Sequence, residues 1–128
     1  MPMVRISLAQ GKSAQYRRKV AAAIHQALVE TINVPESDRF QLVNEHAPAD
    51  FIYAPSYLDI EHTPDLVMIQ IAISEGRTID MKRALYRCIA GNLARAVQLR
   101  PQDVFINLIE VKKENWSFGN GVAQYAAV

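Results

Sequence analysis

Gln10-Gly11-Lys12-Ser13 and Glu75-Gly76-Arg77-Thr78 are one pattern written twice, with the glycines at positions 11 and 76, an offset of 65. The same offset pairs Val20 with Leu85, Ile24 with Ile89, Leu28 with Leu93 and Ile32 with Val97. It also pairs Asp38 with Asp103, Phe40 with Phe105 and Glu45 with Glu110. One ungapped offset across four segments says that a single supersecondary unit was used twice.

Each unit reads strand, helix, strand. A strand over 3–8 runs into a turn at Gly11, and Ser13 is a good N-cap. Tyr16, Val20, Ile24, Ala27, Leu28 and Ile32 then recur every three or four residues, the spacing of an amphipathic helix. Pro35 and Asp38 punctuate the next turn, and 39–44 is the second strand. The second unit opens with an apolar strand over 66–73, which is expected to be covered on both faces. Thr78 caps its helix, Leu85, Ile89, Leu93 and Val97 line the buried stripe, and 104–111 is the closing strand.

A strand–helix–strand crossover makes its two strands parallel and is right-handed. The expected fold is therefore α/β (α+β), two tandem β-α-β units forming a four-stranded mixed sheet with both helices on one face. The chain, 1–128, is read as one domain. Its repeats span approximately 2–45 and 66–111, with a connection at 46–65 and a tail at 112–128. The connection carries Pro48, Pro55 and Pro64 and is expected to hold a short strand near 51–53. The tail, with Trp116, Phe118, Gly119 and Gly121, is expected to form a tight turn or a small hairpin packed on another part of the chain. The bare face of the sheet calls for a partner subunit.

Composition narrows the function. A net charge of +1 gives no general electrostatic argument for nucleic acid or an anionic membrane. The one cysteine, Cys88, excludes an internal disulfide and fits a reducing compartment, so a cytoplasmic protein is expected. His25, His46 and His62 lack metal-ligand spacing, and no metal or other cofactor is implied. His25 is expected on a helix surface or interface, Cys88 in the apolar stripe, and Arg17-Arg18-Lys19 on a solvated helix face.

Pro2 is a candidate for chemistry. If Met1 is removed, Pro2 presents a secondary amine that no other residue can offer; if Met1 is retained, its nitrogen is a tertiary amide and cannot act as a base. An α-amino group titrates at about 7.7–8.0, far below the ~10.4 of lysine. Burial or a neighbouring cation lowers it further, toward the range where general acid–base catalysis works best. Proline is acceptable as the first residue of a strand, which would hold the amine more firmly than a frayed tail. Its repeat counterpart is Val67, an ordinary strand residue.

Three stretches carry a resemblance over nearly the whole chain. They are Val34-Pro35-Glu36-Ser37-Asp38-Arg39-Phe40-Gln41, Ile73-Ser74-Glu75-Gly76-Arg77-Thr78 and Trp116-Ser117-Phe118-Gly119-Asn120-Gly121. With Pro2 and the doubled unit, the chain resembles the tautomerase superfamily and its malonate semialdehyde decarboxylase-like branch. The resemblance implies that Pro2 is the catalytic amine and that Asp38 and Arg77 act with it. It implies that Arg77 also binds a substrate carboxylate and that Trp116 and Phe118 form an apolar wall. Decarboxylases of that branch can carry two arginines in the strand-end segment. Glu75 takes the first of those positions and is expected to modulate the amine or to pair with Arg77 and weaken it as an anchor. The implied substrate is a small carboxylate-bearing oxo-acid, the reaction keto–enol tautomerisation or decarboxylation, and the assembly a homotrimer. The alternative from another class is a non-catalytic ferredoxin-like module that binds a small ligand or a partner.

Overall fold

Along the first and third long strands, every second side chain is apolar and buried, and along both helices the apolar side chains share one stripe. Those two patterns meet. The computed structural model describes residues 1–126; the last two residues of the expected tail, Ala127 and Val128, lie outside the described residues. The elements are β1 (Met3–Ala9), α1 (Ala14–Ile32), β2 (Gln41–His46), β3 (Ser56–Tyr57), β4 (Ile60–Glu61), β5 (Val67–Ser74), α2 (Ile79–Val97) and β6 (Val104–Val111).

The main sheet has the order β2-β1-β5-β6. β1 and β2 are parallel, as are β5 and β6, while β1 and β5 run antiparallel. The register repeats too: Val4 lies opposite Gln41, and Ile69 opposite Ile106, each displaced by the same offset. Val4, Ile6 and Leu8 from β1 and Ile69, Ile71 and Ile73 from β5 face the helices. There they meet Val20, Ile24 and Leu28 of α1 and Leu85, Ile89 and Leu93 of α2, all almost fully buried. Burying each such side chain contributes roughly 1.5–3 kcal/mol, which makes this layer the main source of stability.

The doubling reaches individual hydrogen bonds. Ser13 Oγ accepts from Tyr16 N at 3.0 Å, and Thr78 Oγ1 accepts from Met81 N at 3.2 Å. The helices end at Asn33 and Gln98, both in the left-handed region at φ 59° and 56°. Gly11 and Gly76 turn the chain at φ 113° and 126°, values that disfavour any side chain. Arg17 pairs with Glu45 at 2.8 Å and Lys82 with Glu110 at 2.6 Å, the same pair in each copy.

Several expectations are corrected. No strand forms at 51–53. A single 3-10 turn at Pro48–Asp50 and a two-residue hairpin, β3–β4, take its place. Prolines remove backbone donors there. Leu58 and Asp59, at φ 50° and 60°, give the hairpin its turn. Phe51 is held by its ring, stacked on His46 at 5.5 Å, and not by a ladder. β2 starts two residues later than expected, and β5 runs one residue further along. His25 is buried, with Nε2 at 2.8 Å from Glu36 O, because the turn after α1 folds back over it. Cys88 is half-exposed, its thiol donating to Glu30 at 3.4 Å. Partial burial and that carboxylate push the thiol pKa up. Arg18 and Lys19 are solvated as expected, but Arg17 is engaged by Glu45. In the single chain β5 is covered on its helix side only, with Gln70 exposed and Met68 and Ala72 half-buried on the other.

Candidate active site

The antiparallel pairing of β1 and β5 brings the start of one strand to the end of the other, with Met3 opposite Ala72. Parallel pairing adds the end of β6, where Ser74 lies opposite Val111, and Phe40 joins where its carbonyl accepts from Val4 N at 3.0 Å. The tail after β6 then crosses this end of the sheet. Residues far apart in sequence thus gather around the first residues of the chain.

Two cavities meet there. One, of about 420 Å³, is lined by Met1, Pro2, Met3, Phe40, Asn115, Trp116, Ser117 and Phe118. The other, of about 490 Å³, is lined by Met1, Ser74, Glu75, Arg77, Lys113, Gln124 and Tyr125. Met1 lines both. Pro2, Trp116 and Phe118 therefore share an apolar cavity, and Arg77 and Glu75 share a polar one. Asp38 lines neither cavity. Its carboxylate does act on the amino group at the chain start, where burial outweighs it. Burial lowers the pKa of the Met1 amine most, Asp38 raises it, Arg77 lowers it, and the net result lies below 8.0.

Local chemistry fixes the side chains. Arg77 Nη1 donates to the backbone oxygen of Ser74 at 2.7 Å, which turns the guanidinium back over the end of β5. Glu75 is exposed, and no ion pair among the described residues includes Glu75, Arg77 or Asp38. Trp116 Nε1 donates to Ser74 Oγ at 3.0 Å. Trp116 stacks on Phe118 at 5.4 Å, and Tyr125 meets Phe118 edge-on at 4.7 Å. Gln124 closes the tail turn: its Oε1 accepts from Phe118 N, and its Nε2 donates to Gly119 O, both at 2.9 Å.

Sequence reasoning missed Phe40, Ser74, Lys113, Gln124 and Tyr125 as lining or supporting residues. Phe40 was legible as one of a repeated pair, and Ser74 sat inside a stretch already singled out. Gln124 and Tyr125 gave no signal, because only the fold of the tail returns them to the sheet end. One end of the molecule thus holds the half-buried Met1 with its amine, a buried Pro2, an apolar wall and a guanidinium in no ion pair among the described residues. Such a set can bind a small carboxylate and exchange a proton with its carbon skeleton.

Comparison with known proteins bears on the same point. Two tautomerase enzyme families match, one over residues 38–119 and the other over 2–59. The probable tautomerase YusQ of Bacillus subtilis (strain 168) is 43% identical over 124 residues, spanning 97% of this chain and 98% of that protein. The solved FG41 malonate semialdehyde decarboxylase, inhibited by 3-bromopropiolate, superposes with a TM-score of 0.89 at 38% identity, covering 96% of this chain and 93% of the other. A second malonate semialdehyde decarboxylase, studied for its decarboxylase and hydratase activities, gives 0.89 at 28% identity over 96% and 95%. Two β-α-β units in a four-stranded mixed sheet, with both helices on one face, form the tautomerase fold. The chain belongs to the tautomerase superfamily of enzymes. That membership weighs against a non-catalytic ferredoxin-like module. No helix among the described residues is long and apolar enough to cross a membrane.

Proposed function

We propose that the chain, with Met1 removed, uses the Pro2 amine as an acid–base group on a small oxo-acid, as a tautomerase, a malonate semialdehyde decarboxylase-like enzyme, or both. The supporting observation is that the chain start adjoins both the aromatic cavity and the Arg77 cavity, where burial lowers the pKa of the Met1 amine. In tautomerisation the neutral amine takes a proton from the carbon beside the substrate carbonyl. Arg77 holds the carboxylate through paired charge-assisted hydrogen bonds, and the proton is returned at oxygen or carbon. Trp116 and Phe118 shield the carbanion-like centre from water. In decarboxylation of a 3-oxo acid the protonated amine donates to the carbonyl oxygen. The electron pair of the breaking C–C bond then moves into the enol, and carbon dioxide leaves. Asp38 is the acid–base partner of the amine, and Glu75 tempers the attraction of Arg77 for anions.

The pH dependence separates the two routes. The tautomerase needs neutral amine, so kcat/KM for a 2-oxo acid should rise with pH as the amine loses its proton. The decarboxylase needs protonated amine, so kcat/KM for a 3-oxo acid should fall over the same range. Flat profiles for both between about pH 5 and 9 would remove the amine from the mechanism.

We further infer that residues 1–128 work as one tautomerase-like domain in the cytoplasm and that three copies assemble. The support is the bare sheet face, where Met3, Phe105 and Ile109 are 39–47% exposed beside Arg5, Gln70 and Asn107. Light scattering should give about three times the 14.4 kDa of one chain; a monomer would contradict the assembly.

A further inference from the structure

Ser74 joins the two parts of the proposed site. It closes β5 and exposes only 7% of its surface. Its hydroxyl accepts from Trp116 Nε1 at 3.0 Å, and its backbone oxygen accepts from Arg77 Nη1 at 2.7 Å. One residue therefore touches the aromatic wall through its side chain and the cationic group through its backbone. A buried hydroxyl is costly without a partner, and so is a sequestered indole N–H. Packing alone does not call for the hydroxyl, because the repeat counterpart of Ser74 is Ala9, at the same strand end of the other unit.

We propose that Ser74 is a positioning residue that sets the Trp116 ring at a fixed place relative to the Arg77 guanidinium. The proposal rests on the reading of the site given above. It makes the two bonds separable. Ser74→Ala frees Trp116 and leaves the backbone oxygen that holds Arg77. The wall then loosens while the carboxylate anchor stays, so a substrate with an apolar tail should lose binding more than turnover.

Trp116 is the one tryptophan of the chain, so intrinsic emission reports on it directly. Ser74→Ala should shift that emission to the red and raise KM for phenylpyruvate about fivefold, the worth of one neutral hydrogen bond, with kcat held within about twofold. Ser74→Thr, which keeps the hydroxyl, should restore both. Trp116→Phe approaches the same bond from its donor side and serves if Ser74→Ala does not fold. In the double variant KM should be no higher than in Trp116→Phe alone, as expected for two residues acting through one contact. Unchanged emission in Ser74→Ala, a Ser74→Thr variant that fails to restore, or penalties that multiply would each overturn the proposal. Absence of turnover in every form would remove the functional reading, yet the emission of Ser74→Ala would still decide whether Ser74 holds Trp116.

Discussion

The two β-α-β units have the same caps, turns, register and ion pairs, yet their equivalent ends are finished in opposite ways. At the far end of the sheet Lys12 donates to Asp65 at 2.7 Å, and Asp103, fully buried, accepts from Thr63 N at 2.8 Å and from Thr63 Oγ1 at 2.5 Å. Thr63 and Asp65 both belong to the connecting segment, which closes that end. At the near end the counterparts are Arg77 and Asp38, and no ion pair engages either among the described residues. Val67 lies buried within β5, whereas its counterpart Pro2, also buried, precedes β1. The repeat builds the scaffold. At the near end Met1, Pro2 and the tail after β6 line the cavities, and no residue of the connecting segment does.

This contrast can be broken most directly at the two aspartates. Asp103→Ala should orphan a buried N–H and hydroxyl and cost about 3 kcal/mol, lowering Tm by roughly 10 °C. Asp38→Ala should leave Tm within about 3 °C while lowering kcat/KM about 100-fold, the scale of a lost acid–base group. Equal thermal losses in both would mean that Asp38, like its counterpart, is a structural carboxylate. The cations give a smaller effect. Arg77→Ala should reduce kcat/KM about 30-fold through lost carboxylate binding, a loss on the scale of hydrogen bonds to a charged group. Lys12→Ala should leave it within about twofold, since an exposed ion pair contributes little.

The sequence made much of the scaffold legible because a repeated spacing carries its own check. Gly11 with Gly76, and Ser13 with Thr78, bound each helix start twice. The connecting segment had no second copy, and there the reading failed. Ring stacking of Phe51 and His46 replaced the expected strand, a contact with no sequence period. At the candidate site Pro2 stood out by residue type, and Arg77 and Trp116 through the resemblance of their stretches to the tautomerase superfamily. Ser74, Gln124 and Tyr125 did not, because their importance comes from where the tail crosses the sheet. His25 was misread because its hydrogen bond to Glu36 O depends on the turn after α1 folding back.

Pro2 is the departure from symmetry that we propose to be catalytic. The deciding measurement is kcat/KM for a 2-oxo acid and for a 3-oxo acid on two samples, verified by intact mass as lacking or retaining Met1. Met1 lines both cavities, and its removal would make the Pro2 nitrogen a free amine. The account predicts at least one activity in the Met1-free protein and a loss of about 1000-fold in the Met1-retaining form, with Tm unchanged. Equal kcat/KM in both samples would contradict it.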